Sequence, residues 1–202
     1  MTEQSGVHFY LNWAKERIDE MDAALASFEV TAGQVKAESK VKADQLVDDL
    51  KKRRDEFNAT VKKQAEAGET AWVGIRADLE TKWNEFERQM QSYFASAGKQ
   101  IEQQQATFGE IAAAQVKAWR EATDKFRDVA TKVAADRRAD LDVAVKQMKA
   151  DASEVEARFK RLKQAGDETW SALGAALAES RKTFDSANKA AWDAFKRAAP
   201  PS

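Results

Sequence analysis

From Trp72 onward the apolar residues fall at Trp72, Ile75, Leu79, Trp83, Phe86, Met90, Phe94, Ala97 and Ile101, at spacings of 3, 4, 4, 3, 4, 4, 3 and 4. This is an 11-residue repeat over three helical turns, about 3.67 residues per turn, close to the pitch of a straight α-helix. Strand side chains alternate with period 2 and cannot hold such a stripe on one face. A heptad would instead impose a left-handed supercoil. A second stripe of the same kind runs through Phe159, Leu162, Gly166, Trp170, Leu173, Leu177, Phe184, Trp192 and Phe195. The chain has 202 residues and its two prolines, Pro200 and Pro201, stand at the end, so no proline interrupts a helix upstream. The pattern predicts an all-α protein, an elongated long-helix bundle or antiparallel coiled coil.

Sliding the chain against itself by 98 residues aligns it without a gap. Ala67-Gly68-Glu69-Thr70-Ala71-Trp72 falls on Ala165-Gly166-Asp167-Glu168-Thr169-Trp170, and Phe28, Val47, Leu79, Phe86 and Phe94 meet Phe126, Val145, Leu177, Phe184 and Trp192. The alignment predicts a tandem duplication, with one repeat over 1–104 and a second over 105–202, joined as one continuous elongated unit. Thr31-Ala32-Gly33-Gln34 and Thr107-Phe108-Gly109-Glu110 have capping-box spacing. Taken as helix starts, they predict helices over about 6–30, 34–105, 110–164 and 168–198. Gly68 and Gly166 sit at matching places on the stripe and are candidate bends.

Little in the composition points to catalysis. With no cysteine there is neither a thiolate nucleophile nor a disulfide, and the single histidine, His8, is near the N-terminus. The eight glycines are all isolated, so no phosphate-binding loop is present. No Glu-x-x-His pair occurs, so the ligand set of a di-iron bundle is missing. The acids, Glu85 and Glu87 among them, read as solvated helix faces. The run Lys51-Lys52-Arg53-Arg54 is bracketed by Asp48, Asp49, Asp55 and Glu56 and reads as a salt-bridged surface. A net charge of -1 argues against a nucleic-acid binder. No apolar run is long enough to span a membrane, and the N-terminus has no secretory pattern, so a cytoplasmic protein is expected. The expectation is a non-enzyme without catalytic residues, metal or cofactor.

The aromatic content points to partners. Ten Phe, six Trp and two Tyr outnumber nine Leu and four Ile. Tryptophan is too large for a narrow two-helix seam, so the stripe suits a wider bundle, a partner groove or an apolar interface. Polar residues interrupt it at Arg53, Gln64, Arg137, Asp140, Asp151, Arg181 and Asn188. The stripe, from Trp72 to Phe94 and from Phe159 to Phe195, is the candidate interaction surface. The 11-residue aromatic columns and the Ala/Lys/Glu/Gln filling resemble phasin-like granule-coating proteins and apolipoprotein-type repeat proteins, although the latter carry prolines between repeats. That resemblance implies a surface- or partner-binding role without chemistry. The expected function is a coiled-coil-like scaffold that forms a homo-oligomer or binds a helical partner. The alternative is an amphipathic protein bound to a hydrophobic surface, a polymer granule or lipid.

Overall fold

The computed structural model describes residues 9–33, 37–64, 69–96, 101–166 and 169–198. Among them are six helices and no strand: α1 (Phe9–Ala32), α2 (Ala37–Gln64), α3 (Glu69–Ser96), α4 (Ile101–Ala130), α5 (Ala139–Ala165) and α6 (Trp170–Ala198). The chain is all-α and packs as a helical bundle.

The expected helices are too long. The 34–105 segment is divided into α2 and α3, with α4 already begun by Ile101, and the 110–164 segment is divided into α4 and α5. At 24–30 residues each, the helices span roughly 36–45 Å, far short of the roughly 105 Å that one 70-residue helix would reach. The stripe explains the difference. A continuous rod leaves its apolar face in water, whereas a chain that folds back covers one stripe with another.

Side-chain contacts fix the directions. α1 and α2 are antiparallel, with Trp13 beside Phe57 and Glu29 paired to Lys51. α1 and α3 are parallel, with Tyr10 stacked on Trp72 near one end and Phe28 against Phe94 near the other. The last three helices run in the same relative directions. α4 and α5 are antiparallel through Phe108–Phe159 and Arg120–Glu156. α5 and α6 are antiparallel through Arg158–Glu179 and Asp140–Arg197. α4 and α6 run parallel, with Gln104 at the Trp170 backbone and Trp119 against Phe184. The last residues of α1 and α4, Ala32 and Ala130, are 98 positions apart. The halves meet where α1 and α4 cross antiparallel and where α3 and α6 do the same.

Two capping expectations fail for local reasons. Thr107 lies inside α4, fully buried, and its hydroxyl meets Ser27 Oγ at 2.7 Å, so it joins two helices and starts neither. Gly33 lies one residue beyond α1, its N–H bonded to Glu29 O at 3.2 Å, and α2 begins at Ala37. The α4–α5 connection carries neither glycine nor proline; successive short-range bonds, Lys132 N to Val129 O and Arg137 N to Ala134 O, turn the chain there.

Gly166 ends α5 with φ 73° and ψ −12°, the left-handed C-terminal cap that glycine adopts without strain. It is an exposed break in the chain, and α5 and α6 are separate helices. The companion Gly68 lies outside the described residues. Gly166→Ala is expected to lower stability by about 1–2 kcal/mol through the φ alone, since an added Cβ would make only an ordinary contact with the Gln164 carbonyl, 4.0 Å away. Gly109, inside α4, is the control: its Cβ would make ordinary contact with Lys163, 3.6 Å away. Gly109→Ala should therefore stabilise by about 1 kcal/mol. Thermal melts of the two variants should move in opposite directions; midpoints moving together would contradict the assignment.

Candidate functional site

The predicted stripe is the inside of the molecule. Trp72, Leu79, Trp83, Phe86, Met90, Phe94, Phe159, Trp170, Leu173, Leu177, Phe184, Trp192 and Phe195 are buried, and Ile75 and Leu162 pack half-buried against them. These residues belong to one core with Phe9, Trp13, Phe28 and Phe57 of the first half and Phe108, Trp119 and Phe126 of the second. The large exposed apolar residues, Val30, Val41, Val73, Ile101 and Val143, are scattered singly over five helices. No helix among the described residues is long and apolar enough to cross a membrane.

The densest chemistry lies where the halves meet. On α1, Glu16, Arg17 and Glu20 are each at most 6% exposed, as are Gln115 on α4 and Arg181 on α6. Arg17 donates in a two-pronged pair to both oxygens of Asp185, at 2.8 Å each, and to Glu16 Oε2 at 2.6 Å. Its guanidinium also lies over the Trp13 ring, 5.1 Å from the centroid. Arg181 donates to Glu20 Oε2 at 3.0 Å and to Glu87 of α3, with its guanidinium 4.9 Å from the Trp83 centroid. Gln115 Nε2 donates to Glu20 Oε1 at 2.8 Å and to the Leu177 carbonyl at 3.1 Å. One turn toward the start of α1, Asn12 donates to Asn188 Oδ1 and accepts from Lys125, while Asn188 donates to the Phe9 carbonyl.

The charges do not balance. Glu16, Glu20, Glu87 and Asp185 stand against Arg17 and Arg181, with Arg76 near enough to act on Asp185. Burial drives the Glu16 carboxyl well above the usual carboxylate range despite Arg17, and neighbouring Glu20 adds to the rise. Burial also raises Asp185, against the pull of its Arg17 partner. Burial opposes the charge on Arg17 and Arg181, but the surrounding carboxylates outweigh it and hold both above their ordinary values. Chemically, the arrangement is a buried set of ion pairs whose members are engaged with one another. Two surface clefts lie elsewhere, one of about 120 Å³ between α5 and α6, lined by Asp151, Arg158 and Glu179, and another at Arg53, Glu85 and Arg88 between α2 and α3. Among the described residues, no group of His, Cys, Asp and Glu is arranged to hold a metal ion.

Of the polar gaps read in the stripe, Arg181 and Asn188 are the two that the fold brings into this cluster. Arg137 and Asp140 are exposed, Asp151 and Gln64 are half-buried, and Arg53 pairs with Glu85 across α2 and α3. Glu87, read as solvated, is a correction: it is partly buried on Arg181. Members of the basic run pair with acids on other helices, Lys51 with Glu29 and Arg54 with Asp22, as well as with neighbouring Asp55. Glu16, Arg17 and Glu20 were missed, although Phe9, Trp13, Glu16, Glu20 and Ala24 keep helical spacing and place two carboxylates on an apolar face. Compared with known protein families, curated proteins and solved structures, the chain matches none of them.

Two outcomes follow. Arg181→Met strands Glu20 and Glu87 without their cation and should lower stability by about 3–5 kcal/mol in denaturant unfolding. A carboxyl raised on folding stabilises fully below its unfolded value, about pH 4, and that contribution is lost as pH rises through the folded value. Glu16 and Asp185 both act in this direction, so their share of the stability should decline as pH rises above about 4. Glu16→Gln should flatten the decline and unfold at higher urea than the parent at pH 8. An unchanged slope in the variant would rule Glu16 out as its source.

Proposed function

We propose that the protein is a non-enzymatic interaction scaffold that self-associates or takes a helical partner. One observation supports the reading: the first three and last three helices pack on one another within the chain through a shared apolar core and buried, residue-specific hydrogen bonds and ion pairs. Each helix places its apolar face against other helices, and the ionisable groups that the fold gathers are engaged with one another. Association of this kind between copies should appear in sedimentation equilibrium as a mass that rises with concentration across the micromolar range. A constant single-chain mass would remove the self-association arm.

A second reading, reversible binding to a hydrophobic surface such as a polymer granule or lipid, is favoured by the aromatic lining of the core. All six tryptophans, Trp13, Trp72, Trp83, Trp119, Trp170 and Trp192, are buried. Such binding requires opening, and tryptophans already shielded would not shift to the blue on addition of a surface. A covalent lock separates the readings better. Ser27 and Thr107 have their hydroxyls 2.7 Å apart across α1 and α4, and the chain has no other sulfhydryl to interfere. Ser27→Cys with Thr107→Cys should close a disulfide there. The oxidised variant should lose co-sedimentation with phosphatidylcholine vesicles or oil droplets and regain it on reduction; equal binding in both states would sink the surface reading.

A further inference from the structure

We propose that Glu16 and Glu20 hold one proton between them inside the bundle, and that its release to solvent loosens the crossing of α1 with α4 and α6. The two residues stand one turn apart on α1 and are each 1% exposed, so their oxygens depend on partners within the protein. Counting donors locates the proton. Both oxygens of Asp185 accept from Arg17. Both oxygens of Glu20 are engaged as well, one by the Gln115 amide and one by Arg181. Glu87 accepts from Arg181 and remains partly open to solvent. Glu16 is the exception: its Oε2 accepts from Arg17, while its Oε1 is buried and meets no donor. A buried charged oxygen without a donor is costly. A proton on Oε1 makes it an O–H that donates to Glu20, whose carboxyl is near enough to accept it. It also turns two like charges at i and i+4 into a charge-assisted hydrogen bond.

The surroundings on every side supply no further cation. On α1, Arg17 and Glu20 face Glu16, while Lys15 is taken by Asp19 and by Glu121 of α4. α6 brings Arg181 and Asp185, and α3 brings Glu87 together with Arg76, which is shared between Asp185 and Glu80. α4 brings the uncharged Gln115 amide, with Lys125 held at Asn12. The α2 cations that reach α1, Lys51 and Arg54, pair with Glu29 and Asp22. Ionising Glu16 therefore adds a fourth carboxylate to Glu20, Glu87 and Asp185 and no cation with it. Burial, with Glu20 adding to it, drives the Glu16 carboxyl upward in the same sense.

When the proton passes to water, Glu16 Oε1 carries charge without a donor and faces a second carboxylate one turn away. Both costs fall if water reaches the pair. On the α2 side Trp13 and Phe57 close the way. The polar contacts are the ones that yield: Arg17–Asp185 and Glu20–Arg181 toward α6, and Glu20–Gln115 toward α4. The apolar core that α1 shares with all the other helices holds it in place, so the change is a local opening around Glu16 and not a loss of the helix. The crossing is closed in acid and loosened as pH rises.

The test uses the full chain with isotope-labelled glutamate carboxyl carbons, so that Asp185 is silent in the NMR titration. One resonance is expected to titrate above the ordinary glutamate value of about 4.3 and to be missing in Glu16→Gln. Hydrogen exchange at the α1 amides around Glu16, corrected for base catalysis, reads the opening over the same interval. Its equilibrium constant should rise about tenfold per pH unit between about pH 4 and the folded value of Glu16, and then level off. Glu16→Gln, whose amide can donate to Glu20 as the acid does, should lose this rise. Glutamates that all titrate in the ordinary range would overturn the shared proton, as would a raised resonance that survives in Glu16→Gln. A raised resonance whose titration leaves exchange unchanged would overturn the switch. The titration and exchange of the parent chain need no variant, so they decide the matter even where Glu16→Gln fails to fold.

Discussion

Every helix in this chain carries an apolar stripe too large to leave in water, and that burden shapes the fold. Burying a large apolar side chain gains roughly 1.5–3 kcal/mol. Interrupting a helix gives up about four backbone hydrogen bonds in all, the N–H groups of one new end and the C=O groups of the other, each bond worth about 1 kcal/mol net. A stripe with seven large residues between Trp72 and Phe94 therefore favours reversal over a rod whenever the reversed segment covers it. The outcome is six helices of 24–30 residues whose tryptophans all lie inside.

Burial of apolar area is not selective, and this core has many rings that would accept other neighbours. Selectivity comes from the charged seam. A buried ion-pair set rarely stabilises more than a well-packed apolar replacement, because removing the charges from water is costly. What it supplies is register. Glu20 reaches Gln115 on one helix and Arg181 on another, and Arg181 continues to Glu87 on a third. A slip of one turn at any of these contacts would leave a buried charge unmatched. Trp13 and Trp83 add their ring faces to the two guanidiniums, binding the polar set to the aromatic core beside it.

The helical class and most core residues were legible because both depend on period, which a single sequence displays. The stripe from Trp72 to Phe195, read as an interaction surface, marks positions that the fold buries, because one amphipathic face looks the same whether it meets another copy, a lipid or its own chain. Helix ends were less legible. Thr107-Phe108-Gly109-Glu110 has the letters of a cap, yet Thr107 is committed to Ser27 in a distant helix. The break after Ala130 has no glycine or proline to announce it, although the offset of 98 carries the break after Ala32 onto it. The charged cluster was hidden for a different reason. Glu20 and Arg181 are 161 positions apart, and neither can be told from a solvated residue until the fold places the other.

Residues that align at an offset of 98 in the sequence differ where the first three helices meet the last three. Trp83 and Arg181 are equivalent at the offset of 98, and they touch. Two tryptophans there would leave Glu20 and Glu87 without a cation, and two arginines would repel. One of each gives a cation–π contact and a partner for both acids. The same asymmetry holds on the crossing helices, where Arg17 is equivalent to Gln115 and both serve the acids around Glu20 with different donors. The two sides of this contact carry different groups, so the contact is complementary, and neither side can be satisfied by a copy of itself.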